Sequence, residues 1–196
     1  MNNNLLLTTV TQNLPSIFEK LKSSHFERYA YLIHNLKSTD VSANAAFQTK
    51  FNGLYRVRFR PADWKKVYYT WMEKMKTNPN PSFEETMNHL YQQTGKIEPS
   101  FSSKLVAIIN PDAPVYDSVV ASHLGLNAPK QYLPDHERIQ DFAELYTSLS
   151  NQMNRLIEQP DFPQLSRALD AQFPQFAPDL TPMRKLDLLL WQYRPG

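Results

Sequence analysis

The sequence predicts an all-α protein, and three observations carry that expectation. Only four glycines occur in 196 residues. Ala, Leu, Gln, Glu and Lys, which are good helix formers, fill long stretches between the prolines. Apolar residues in those stretches recur at three- and four-residue steps, the signature of one buried helix face. The expected architecture is a compact multi-helix protein, read as a single domain over residues 1–196.

The elements follow in order. Leu14-Pro15 opens a predicted helix to about residue 37, with Ile17, Phe18, Leu21, Phe26, Tyr29, Leu32 and Ile33 on its apolar face. A second helix is expected over residues 41–51. The next stretch, Leu54 to Arg60, alternates apolar with basic residues and reads as extended. Pro61 then suits the first turn of a third helix, whose stripe of Trp64, Val67, Tyr68, Trp71, Met72 and Met75 is expected to pack inward. Asn78-Pro79-Asn80-Pro81 breaks the chain, and Ser82 with Glu85 fits a capping box for a helix that Gly95 can end. Further helices are expected over residues 101–109, 115–124, 134–158 and 162–173. The last runs to residue 193 from Thr181-Pro182, an N-cap followed by proline at the first helical position.

Composition narrows the function. With 41% hydrophobic and 12% aromatic residues, the chain can build a core, which excludes wholesale disorder. No apolar run approaches the roughly 20 residues of a bilayer helix. The Leu5-Leu6-Leu7 patch lacks the basic flank and cleavage site of a leader. A cytoplasmic, monomeric protein with no membrane partner is therefore expected. The absence of cysteine removes disulfides, thiol catalysis and thiolate metal sites. The five histidines show no metal-ligand spacing, and no phosphate loop, dinucleotide fingerprint or nucleophile elbow is present, so no metal or cofactor is expected. His89 and His123 are the two that folding could bring to a site.

Charge is unevenly placed. Residues 1–110 carry 14 Lys/Arg against 8 Asp/Glu, whereas residues 111–196 carry 7 against 11. Between residues 50 and 76, Lys50, Arg56, Arg58, Arg60, Lys65, Lys66, Lys74 and Lys76 are set against only Asp63 and Glu73. Such a cluster suits a polyanion; equally, it suits a solvated helix face with snorkelling stems.

Two segments carry the chemistry. Glu98-Pro99-Ser100-Phe101-Ser102-Ser103-Lys104 is expected in a short turn between two helices, and Ala113-Pro114-Val115-Tyr116-Asp117-Ser118-Val119-Val120 lies downstream. The first resembles the hairpin of the helix-hairpin-helix DNA glycosylases, the superfamily that includes the 8-oxoguanine glycosylases. In that hairpin, Leu-Pro-Gly-Val-Gly-x-Lys, Pro99, Phe101 and Lys104 match, while Ser100 and Ser102 stand at the glycines. The second segment resembles the family's Pro-Val-Asp-x-x-Val stretch, with Tyr116 added and Asp117 at the aspartate. The resemblance covers about residues 82–126 and implies a helix-hairpin-helix element and a DNA glycosylase that excises a damaged or modified base from double-stranded DNA. It implies further that Asp117 is the catalytic carboxylate and Lys104 a possible Schiff-base nucleophile with an associated lyase step. The role would be base excision repair or defence against base-modified foreign DNA.

Helix physics is consistent with those roles. A lysine in a first helical turn meets the positive end of the macrodipole, which favours the neutral, nucleophilic amine, and the same field at Asp117 favours the anion. The anion suits an oxocarbenium-like transition state. DNA contacts are then expected from Ser100, Ser102 and Ser103 on one phosphate, from Arg56, Arg58, Arg60, Lys65 and Lys66 on others, and from Tyr116 in the pocket for a flipped base. The plain alternatives are Asp117 as a helix cap and Lys104 as a solvent-facing residue. For the whole protein they are a non-catalytic DNA-binding module or a helical protein-interaction module.

Overall fold

The computed structural model describes residues 3–57 and 59–194. The described residues form eleven α-helices and one 3-10 turn, with no strand. None of these helices is long and apolar enough to cross a membrane. The chain forms two compact units: residues 1–22 with 111–196 form unit 1, and residues 23–110 form unit 2.

Unit 2 contains α3 (Ser23–Asn35), α4 (Ala45–Tyr55), α5 (Ala62–Met75), α6 (Phe83–Thr94) and α7 (Pro99–Ile109). Their apolar faces close on a core rich in aromatic rings. Phe51 lies 4.7 Å from Tyr55, 5.7 Å from Tyr68 and 5.8 Å from Tyr69 between ring centroids, within the range where ring pairs add to simple burial. The α5 stripe is internal as its spacing predicts, with Trp64, Tyr68, Trp71, Met72 and Met75 buried and Val67 half-buried. Ser82 accepts a hydrogen bond from the Glu85 N–H at 3.1 Å, and Gly95 ends α6 with a left-handed φ of 66°.

Unit 1 contains α1 (Asn3–Gln12), α2 (Leu14–Lys20), α8 (Ser118–His123), α9 (Asp135–Ile157), α10 (Phe162–Gln172), a 3-10 turn (Ala177–Asp179) and α11 (Pro182–Gln192). Helix α11 is its centre, packing on α2, α8, α9 and α10. It also secures the irregular segment after residue 110, whose backbone groups have no ladder to join. Thr181 Oγ1 donates to the Pro111 carbonyl (2.8 Å) and Arg184 Nη2 to that of Ala113 (2.5 Å). Asp187 Oδ2 accepts from the Val115 N–H (3.1 Å), and Tyr146 on α9 donates to the Pro114 carbonyl (2.9 Å).

The structure differs from the sequence reading at four places. Residues 14–37 are not one helix: α2 stops at Lys20, Leu21 is extended (φ −78°, ψ 117°), and α3 starts at Ser23, the first residue of unit 2. The second helix lies four residues later than expected, because Asn44 caps it through the Phe47 N–H (2.8 Å). The expected extended stretch is instead the end of α4 followed by a turn: Leu54 and Tyr55 are helical, and Arg56 ends the helix in the left-handed region (φ 58°). Arg58 lies outside the described residues. The window expected as a hairpin turn, residues 98–104, is the start of α7. Pro99 is pre-set for helix, and with serine rather than glycine at 100 and 102 nothing there favours a tight turn.

Candidate nucleic-acid interface

The basic segment of unit 2 is shaped by the end of α4. The left-handed Arg56 turns the chain, the buried Val57 anchors it, and Phe59 emerges with 95% of its surface exposed. Arg56 is exposed as well, Lys66 on α5 is exposed and Lys65 half-buried. A phenylalanine this exposed has no packing role, and here it sits between arginines in the sequence.

Arg60 links this surface to the interior. Its guanidinium carbon lies 5.2 Å from the Trp64 ring centroid and 4.9 Å from that of Phe101, while Nη2 donates to Glu98 Oε2 at 2.7 Å. Glu98 is buried. Burial pushes its carboxyl above the usual carboxylate range, while Arg60, Lys96, Lys104 and the Trp64 side chain pull the other way. Lys104 joins the same cluster: its ammonium is 4.9 Å from the Phe101 centroid and 5.9 Å from that of Tyr55, and it donates to Ser100 Oγ at 2.8 Å. The structure thus gathers Arg60, Lys104 and Ser100 around Phe101. Glu98 is the member that sequence reasoning missed; an acid just before a helix-opening proline looks like an ordinary N-terminal residue, and its partner is 38 positions away.

The other two serines serve the helix. Ser102 Oγ donates to the Glu98 carbonyl (2.9 Å) and Ser103 Oγ to the Ser100 carbonyl (3.0 Å), and both residues are fully buried. Their hydroxyls are spent on backbone rather than presented to a phosphate.

Asp117 and Tyr116 belong to unit 1, Lys104 to unit 2. Asp117 is the N-cap of α8, with Oδ1 accepting from the Val119 N–H at 2.8 Å. Tyr116 is buried edge-on against Phe142 at 5.8 Å, so its ring is part of a packed core; burial first and Asp117 second raise its hydroxyl above the ordinary tyrosine value. The two candidate histidines pack: His89 stacks on Trp71 at 3.8 Å in unit 2, and His123 Nε2 is 3.1 Å from the Tyr193 carbonyl in unit 1.

The division into units sharpens the charge asymmetry. Unit 2 holds 12 Lys/Arg against 7 Asp/Glu, and unit 1 holds 9 against 12. What this arrangement can do chemically is attract phosphates to unit 2 and offer an aromatic face beside them. Compared with protein-family models, curated proteins and solved structures, the chain matches none.

Proposed function

We propose that this protein binds DNA through the surface of unit 2 that carries Arg56, Phe59, Arg60, Lys65 and Lys66. The observation that carries this reading is Phe59, 95% exposed and flanked by basic residues. Cations alone give sequence-independent attraction to phosphates, and an exposed ring adds a face on which a base can stack or a wedge that enters a base step.

Fluorescence anisotropy with single-stranded and duplex oligonucleotides over a range of salt tests this. Affinity is expected to fall linearly on a log–log plot, with Lys66→Gln lowering the duplex slope by about 0.9. Phe59→Ala is expected to weaken binding by about 1–3 kcal/mol with the slope unchanged. Absence of binding, or affinity indifferent to salt, refutes the proposal.

The finer reading, base excision, is supported by the resemblance of residues 98–104 and 113–120 to the glycosylase motifs. It assigns the carboxylate to Asp117 and the amine to Lys104. On duplexes carrying altered bases it predicts abasic sites from the parent protein and none from Asp117→Asn. Full activity in that variant removes the assignment, and failure of borohydride to trap a covalent product removes Lys104 as nucleophile.

A further inference from the structure

We propose that the groove between α3 and α4 in unit 2 is a phosphate-binding site; only the source of the phosphate rests on the DNA-binding reading above. The open cavity there, about 430 Å³, is lined by Arg28 from α3 and by Thr49, Lys50, Asn52 and Gly53 from α4. Among the described residues, two cations, a hydroxyl and an amide face it, and no carboxylate does.

The cations are held in place. Arg28 Nη1 donates to the Gly53 carbonyl at 3.2 Å, near the end of α4 where carbonyls lack intrahelical partners. That fixes the guanidinium while using one of its five N–H groups. Gly53 eases the approach, since a Cβ at that position would stand 3.3 Å from both Cζ and Nε of Arg28 and the guanidinium would have to shift by a few tenths of an ångström. Lys50 Nζ lies 5.7 Å from the Tyr31 ring centroid, which keeps a long side chain beside the cavity. Asn52 Oδ1 is occupied by the Tyr69 hydroxyl at 2.7 Å, so its NH₂ is the end left for a ligand.

A rigid fork, a point cation and two neutral donors match a tetrahedral group with several acceptor oxygens. The C-terminal dipole of α4 opposes an anion, but with only about half a charge against two full ones.

The test uses the isotopically labelled full chain and NMR at constant ionic strength. Inorganic phosphate is titrated first, then matched oligonucleotides with and without a 5′-phosphate. Inorganic phosphate is expected to shift the Gly53 amide and the Asn52 side-chain NH₂ saturably, and Lys50→Gln, at an exposed position, to weaken that binding about tenfold. Shifts that do not saturate, or that Lys50→Gln leaves unchanged, overturn the proposal even when DNA still binds at the Phe59 surface. Saturable phosphate binding without oligonucleotide binding supports the pocket with a small phosphorylated ligand and removes the DNA reading. If DNA supplies the phosphate, Lys50→Gln also lowers the salt slope of oligonucleotide binding, by about 0.9 for duplex and 0.7 for single strands.

Discussion

Asp187→Ala is expected to destabilise unit 1 by about 3–5 kcal/mol, the loss that follows when one partner of a buried ion pair is removed. Asp187 and Arg184 are both buried, with Oδ2 and Nη2 2.5 Å apart. The same Oδ2 accepts from the Val115 N–H, so alanine strips two donors at once. Hydrogen exchange at the α9 and α11 amides reads the effect within unit 1; protection equal to the parent's refutes it. The charge itself is a burden at neutral pH. Burial raises the Asp187 carboxyl from 3.8 to about 6, against the opposing pull of Arg184 and the Val115 N–H and with a small push from Asp117. The folded form therefore holds its proton more tightly than the unfolded chain does. This group's contribution to stability is complete below about pH 4 and lost as pH rises through about 6, a change of about 3 kcal/mol. Asp187→Asn cannot ionise and is expected to remove that part of the pH profile, whereas a slope equal to the parent's between pH 4 and 6 contradicts it.

Phe51→Ala is expected to destabilise unit 2 by about 3–5 kcal/mol, measured by urea unfolding followed through the exposure of Trp64 and Trp71. Phe51 is fully buried, and its removal leaves a cavity bordered by Tyr55, Tyr68 and Tyr69. Two of these rings are tied by hydrogen bonds, Tyr68 to the Phe101 carbonyl (2.9 Å) and Tyr69 to Asn52 (2.7 Å), which limits how far they can collapse into the space. Because α4 leads directly into the Phe59 turn, DNA affinity is expected to fall with stability in this variant. An unfolding midpoint within error of the parent's shows the cluster to be dispensable.

The sequence was informative wherever local rules act alone. Ser82 and Gly95 bracket α6, Thr181-Pro182 opens α11, and the α5 stripe is buried, all from spacing and capping chemistry. It was silent where the deciding contact is remote. Leu21 continues the apolar periodicity across the α2–α3 break, and no proline or glycine marks that break. Helix α1 carries β-branched and asparagine residues that are poor helix formers, yet it is held by packing on α2 and α9. The alternation around Arg56 to Arg60 imitates a strand, and a left-handed arginine gives no advance signal. In the candidate site, the cations could be read from composition. Their neighbours Glu98 and Phe101 could not, because side chains far apart in sequence create that cluster.

Unit 1 is discontinuous, which fixes an order of events during synthesis. Helices α1 and α2 are translated before residues 23–110, but their partners α9 and α11 only after all of them. The unit of residues 23–110 can close while α1 and α2 still wait, so Leu6, Leu7 and Val10, buried in the folded chain, lack their α9 cover through that interval. A nascent chain halted shortly after residue 110 has cleared the exit tunnel would hold one finished body and two helices without their later partners, the kind of apolar surface that chaperones shield.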